Sequence, residues 1–307
     1  MKNPVASANL RFGKNRIQGN VMNSSFLTPA EIAEYAIGVG VKKSTLSISK
    51  MLLLGILAGA FIALASQGSN LAMYGIPSVG LARVLGGTVF PAGLILVVLC
   101  GAELFTGNCL IVMSCINGKS KWGNFAKNLF FVYVGNLAGS LIVTLLVSAC
   151  GQWNYTSGAL GAYTIRVAVS KVSLTFAQAF FSGILCNWLV CLAVWVAFAA
   201  KDITGKILGI FFPIWLFVLS GFEHCIANMY YIPAGMLAAN NPAYLARALE
   251  TYYDGSQAAL ANLTMAGFVV NNLVPVTLGN IAGGGLFVGV IYYIIYIQKS
   301  RQRSSCE

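Results

Sequence analysis

The sequence predicts an all-α membrane protein: six transmembrane helices in two inverted three-helix repeats, the second and fifth helices broken. Three observations carry this. Hydrophobic residues make up 58% of the 307 and charged residues only 9%, with a mean hydropathy of +0.77, which leaves too few charges to cover a soluble globule of that size. Six apolar stretches, at about 51–66, 86–116, 128–150, 173–200, 207–237 and 265–297, approach or exceed the roughly 20 residues that cross a bilayer as a helix. The pattern G-x-E-x-x-x-x-N occurs twice, from Gly101 through Glu103 to Asn108 and from Gly221 through Glu223 to Asn228. A charge within hydrocarbon costs about 3 kcal/mol or more, so its recurrence inside two long apolar spans marks a duplicated site.

Taken in order, residues 1–43 read as a tail followed by an interfacial helix, 44–298 as the six-helix domain with repeats at about 44–150 and 173–297, and 299–307 as a second tail. Residues 1–28 are polar and mixed, without the apolar region of a cleavable signal peptide. Thr28, Pro29 and Glu31 mark a helix start, with Thr28 at the N-cap and Glu31 in the first turn. That helix runs to about Gly40 with Ile32, Tyr35, Ala36 and Val39 on one face; it either lies along the inner membrane surface or simply leads into the first span. The first span, short by itself, begins near Ser44. The second and fifth are too long for one straight crossing and hold the duplicated motif, which suits broken or re-entrant helices.

Further landmarks repeat. Gly55-Ile56-Leu57 in the first span returns as Gly183-Ile184-Leu185 in the fourth, and Gly135-Asn136-Leu137-Ala138-Gly139 in the third as Gly279-Asn280-Ile281-Ala282-Gly283 in the sixth. A unit with an odd number of spans inserts upside down the second time, giving halves related by a pseudo-two-fold axis in the membrane plane. Small residues four apart, Gly55/Gly59, Gly135/Gly139, Gly279/Gly283 and Gly285/Gly289, allow close helix approach. Tyr292, Tyr293 and Tyr296 fit an interfacial aromatic belt. The segment 238–264 is polar, with Asn240-Asn241-Pro242, and carries no motif.

With the N-terminus inside, fifteen Lys and Arg fall on the inner side against four (Arg83, Arg166, Lys171, Arg247) outside, so both termini are expected in the cytoplasm. The net charge of +11 is therefore topological and points to no nucleic acid. Eight cysteines form no C-x-x-C pair and read as small core-filling residues. There is no H-E-x-x-H, G-x-S-x-G or P-loop, and one histidine cannot supply a typical zinc site; neither an enzyme, a metal site nor a cofactor is expected.

Where each span breaks, the first N–H groups of the following half-helix are unpaired and partly positive, and two such breaks at the midplane attract an anion. His224, the single histidine, follows Glu223 at the second break. It is the one side chain able to exchange a proton near neutrality while bonding a passing carboxylate, or it is a neutral ring satisfied by a neighbour. Glu103 and Glu223 are either proton relays or internal caps holding free backbone amides. Asn108, Asn228, Asn136 and Asn280 brace helix contacts. Thr106 offers a hydroxyl to a substrate oxygen or to its own backbone.

The chain resembles the formate/nitrite transporter family, and within it bacterial formate channels, over about residues 29 to 298. The matching text is Cys100 to Thr106, Lys127-Asn128 on to Tyr133 to Leu137, Asn187 to Trp195, Ser220 to Met229 and Asn272 to Asn280. The resemblance implies an aquaporin-like fold, a homopentamer, and in each protomer a pore between two apolar slits. It carries the central histidine onto His224, the threonine of the interrupted second span onto Thr106, and the basic vestibule residue onto Lys171. The slits fall on Phe90, Leu94, Leu104, Phe105, Val190 and Phe217, with Asn187 beside them, and gating falls on the N-terminal segment. Two departures stand out: Glu103 replaces an aspartate, and Gly107-Asn108 replaces two small hydroxyl residues of the loop. The expected activity is passage of formate and similar small monovalent anions through an inner (plasma) membrane, proton-coupled through His224, with flux rising at acid pH on the donor side. Nitrite, hydrosulfide or a short-chain carboxylate such as lactate are the alternative substrates. An aquaporin-like neutral-solute channel is disfavoured because such pores usually repeat Asn-Pro-Ala at their half-helix ends, while the repeats here carry Glu and His, and a non-transporting membrane scaffold is the remaining alternative.

Overall fold

The computed structural model describes residues 26–298; readings of the two tails and of Cys306 lie outside these residues. Six helices are long and apolar enough to cross a membrane: α2 (Ile48–Met73), α3 (Val79–Leu99), α5 (Trp122–Ala149), α7 (Phe176–Ala199), α8 (Ile203–Ser220) and α11 (Gly267–Gln298). Five others complete the fold: α1 (Pro29–Ser44), α4 (Phe105–Ile116), α6 (Tyr155–Val172), α9 (Cys225–Ala238) and α10 (Pro242–Tyr252). The described residues form no sheet, only one isolated bridge between Phe26 and Ala200.

Local signals set the helix starts. Thr28 and Glu31 form a reciprocal capping box on α1, and Thr175 with Gln178 does the same on α7. Ser47, Ser78 and Asp202 cap α2, α3 and α8. Helices α3 and α8 both stop at a glycine of positive φ, Gly101 (80°) and Gly221 (73°). The next residue then bonds back, Ala102 N to Val97 O and Phe222 N to Phe217 O, which closes the last turn. Three residues further on the chain turns helical again as α4 and α9. The second and fifth spans are thus broken as predicted, at equivalent places.

Helices α1 to α5 correspond to α6, α7, α8, α9 and α11, so each repeat is one element longer than the three spans expected. α6 was missed because its polar face interrupts the apolar run that marks a span; Leu160, Thr164, Ile165, Ala168, Val169 and Val172 are buried while Arg166 and Ser170 are exposed. Its counterpart α1 buries Ile32, Ala33, Ala36, Ile37, Gly40 and Ser44 and leaves Tyr35 50% exposed, which corrects the expected face. α1 packs on α4 and α7, with Gly40 against Ser114, so it is an integral part of the bundle. The polar segment after α9 contains α10, which starts at Asn241 and lays Tyr244 over Gly158 and Gly161 of α6.

Backbone contact between small residues holds each half together. A Cβ on Gly139 would meet the Ile56 carbonyl oxygen, and on Gly59 that of Asn136; in the second half Gly279 and Gly283 stand in the same relation to Phe180 and Ile184. Gly285 differs from expectation: it faces open space, whereas its neighbour Gly284 abuts Asn187 and Cys191. The tyrosines near the end of α11 also do more than mark an interface. Tyr293 is buried and donates to Asn117 Oδ1, and Tyr292 packs edge-on against Trp195.

Candidate functional site

Both breaks are built alike, from residues the repeats bring together over long sequence distances. At the first, Asn136 Nδ2 donates to the carbonyls of Gly55 (2.8 Å) and Glu103 (3.0 Å), while its Oδ1 accepts from Phe105 N (3.0 Å). At the second, Asn280 Nδ2 donates to the carbonyls of Gly183 (2.8 Å) and Glu223 (3.0 Å), and its Oδ1 accepts from Cys225 N (2.9 Å). The leading amide of each half-helix is therefore occupied, which corrects the expectation of bare N–H groups. A free amide in a water-poor interior costs too much to leave. The helix dipoles still point their positive ends into the breaks.

The two carboxylates do not cap these amides; each pairs with a lysine. Glu103 Oε1 lies 3.0 Å from Lys43 Nζ and Glu223 Oε1 2.8 Å from Lys171 Nζ. The pairs are completed identically. Asn108 Nδ2 donates to Glu103 Oε2 and to Asn128 Oδ1, and Asn128 Nδ2 to the Lys43 carbonyl; Asn228, Asn272 and Lys171 repeat this pattern around Glu223. Lys43 further donates to Asn108 Oδ1 (2.8 Å), so the residue that departs from the family pattern pins the first break to α1. Sequence reasoning missed Lys43, although it precedes Lys171 by the interval that separates Gly55 from Gly183.

Where the halves meet, the symmetry ends. Thr106 Oγ1 lies 2.9 Å from His224 Nε2, and both residues are buried. Ala227 N donates to His224 Nδ1 (3.2 Å), so the neutral ring carries its proton on Nε2 and donates toward Thr106. His224 is thus also the N-cap of α9. The Thr106 carbonyl accepts from Asn187 Nδ2 (3.2 Å) and from Cys191 Sγ (3.4 Å), both on α7, and Asn187 also donates to Asn280 O (2.6 Å).

Two cavities approach this contact from opposite faces. One, about 980 Å³, opens on the face that carries α1 and is lined by Lys43, Leu94, Glu103, Leu104 and Asn108 among others. The other, about 540 Å³, opens on the opposite face and reaches His224 past Arg83, Arg166, Lys171, Phe90 and Phe217. The rings of Phe90 and Phe217 meet edge-on with centroids 5.4 Å apart. Phe105 packs on Tyr133, and Val190 is buried on α7; neither borders either cavity.

Six membrane helices, inverted halves and a buried polar contact between two cationic cavities define a membrane channel or transporter. The formate/nitrite transporter family matches residues 30–294, and the chain belongs to it. It is 40% identical over 276 residues to the formate channel FocA of Escherichia coli K12, covering 89% of this chain and 96% of that protein. It is 38% identical over 297 residues to a probable formate transporter of Methanothermobacter thermautotrophicus, covering 91% and 100%. A solved structure described as a pentameric formate channel with formate bound superposes with a TM-score of 0.72 at 39% identity, over 81% of this chain and 98% of that one. The chain is an integral membrane protein of a transporter family, not an enzyme.

Proposed function

We propose that this chain forms a homopentamer in the inner (plasma) membrane, both termini in the cytoplasm, and that each protomer conducts formate and similar small monovalent anions. The observation that carries this is the buried Thr106–His224 contact set between two cavities, each holding one lysine–glutamate pair. Lys43 and Lys171 draw an anion toward the centre from their own sides, while the paired carboxylates keep either lysine from trapping it. The apolar constriction of Phe90, Phe217, Leu94 and Leu104, with Phe105 and Val190 behind it, strips hydration.

There the anion takes two donors. His224 Nε2–H and the Thr106 hydroxyl replace lost water, so the substrate crosses as a hydrogen-bonded pair. Uptake of a second proton by His224 requires breaking the bond from Ala227, which favours sharing a proton over surrendering one. Formate flux into proteoliposomes tests the reading. The wild type should carry formate faster when the donor side is acid, and His224→Ala or His224→Asn should lose or alter that dependence; unchanged behaviour removes His224 from the mechanism. Competition among formate, nitrite, hydrosulfide and lactate in the same vesicles ranks the substrates.

A further inference from the structure

Four basic side chains stand on the face opposite α1, and three have oxygen partners. Lys171 is paired with Glu223, Arg83 donates to the Leu219 carbonyl (3.4 Å), and Arg247 donates to the carbonyls of Thr156 (2.9 Å) and Ser157 (2.7 Å). Arg166 differs. Its guanidinium carbon lies 4.7 Å from the ring centre of Tyr252 on α10 and 5.9 Å from that of Tyr163 on its own helix. Among the described residues it makes neither ion pair nor hydrogen bond; the two ion pairs are those of Lys43 and Lys171, and neither Glu250 nor Asp254 comes within reach. Rings fix the position of a guanidinium without using any of its five N–H donors.

The location gives this group a use. Arg166, Ser170, Thr251 and Tyr252 border both the 540 Å³ cavity leading to His224 and a second cavity of about 600 Å³ between α6 and α10, which Ser173 and Tyr253 also line. Arg166 thus stands at the outer rim of the route, one helical turn and a half before Lys171. Unlike an ammonium, a guanidinium presents parallel N–H groups that match a planar two-oxygen anion in bidentate fashion, and it has no such advantage for a single-atom anion.

We infer that Arg166, held by Tyr252 and Tyr163, is a capture site that selects planar oxyanions, carboxylates and nitrite, over hydrosulfide before they reach the constriction. This deepens the proposed function and rests on it. It adds a source of discrimination where the lysine pairs supply only charge.

The test uses the full chain in proteoliposomes with formate and hydrosulfide as probes, comparing Arg166→Lys, Arg166→Gln and Tyr252→Leu, each checked for assembly by gel filtration. Arg166→Lys keeps the charge and loses the fork. The concentration of formate giving half-maximal flux should rise about fivefold or more in both arginine variants, the effect of one lost bidentate contact, with a smaller rise in Tyr252→Leu. The half-saturating concentration of hydrosulfide should stay within twofold of wild type in Arg166→Lys. Formate behaviour like wild type in Arg166→Lys, or a parallel loss for both anions, would overturn the inference and leave Arg166 a mere field charge. Absence of formate flux in the wild type would instead defeat the proposed function, so the two failures are separable.

Discussion

At the residue scale, Asn136 and Asn280 do the most with the least. Each satisfies two carbonyls and one amide at a backbone break, and removing a partner from a buried polar group costs about 1–3 kcal/mol per group. Asn136→Ala and Asn280→Ala should therefore lower the thermal midpoint of the detergent-solubilised protein by many degrees, and Asn→Asp should not rescue it because a carboxylate cannot donate to the carbonyls. Cys191 has a subtler part: its thiol donates to the Thr106 carbonyl. Cys191→Ser, which keeps a donor, should preserve the pH profile of formate flux, whereas Cys191→Ala should shift it with little change in stability. Neither asparagine's three-way role was visible in the sequence, since each partner lies tens of residues away. Their duplication was visible, and it correctly marked both as braces.

At the element scale, the spans and both breaks were legible because hydropathy and a glycine–glutamate motif are local signals. α6 and α10 were not, because α6 carries Thr164, Arg166, Ser170 and Lys171 along a length equal to that of α8, α10 has only 11 residues, and their apolar faces become evident only against each other, Tyr244 on Gly158 and Gly161. Lys43 was missed for a related reason: its helix was read as a surface feature or a leader, so its match to Lys171 at the same interval went unused. The cap of α1 makes a further prediction. Hydrogen bonds from the Thr28 backbone and side chain hold the Glu31 carboxyl below the usual carboxylate range. A lowered folded-state pKa means that the box supports α1 above the unfolded value and that this support is lost as pH falls through the folded one. Amide exchange in the first turn of α1 should thus accelerate in acid beyond the intrinsic trend, and Glu31→Gln should remove that acceleration. Exchange that is equally pH-dependent in both proteins would show the box to be irrelevant to α1.

At the scale of the whole molecule, the lysine of each vestibule is not a free surface charge. Lys171 is paired at 2.8 Å with a carboxylate whose side chain is only 6% exposed. Its simple reading as a screened attractor predicts that Lys171→Gln lowers flux mainly at low ionic strength. The structure predicts more: a buried carboxylate left without its partner costs about 3–5 kcal/mol and repels the incoming anion, so the loss should persist at high salt. The double replacement Lys171→Gln with Glu223→Gln should recover much of the stability, measured by thermal unfolding, though not the attraction. Recovery of flux by added salt alone would contradict this. Gel filtration with light scattering checks the assembly, for which five copies are expected.

Lysine, glutamate and two asparagines recur around each break, so an anion arriving from either face passes one lysine–glutamate pair before the imidazole. Such matching predicts that formate flux in proteoliposomes is measurable with the gradient imposed in either direction; flux in one direction only would show that the shared pairs do not govern entry.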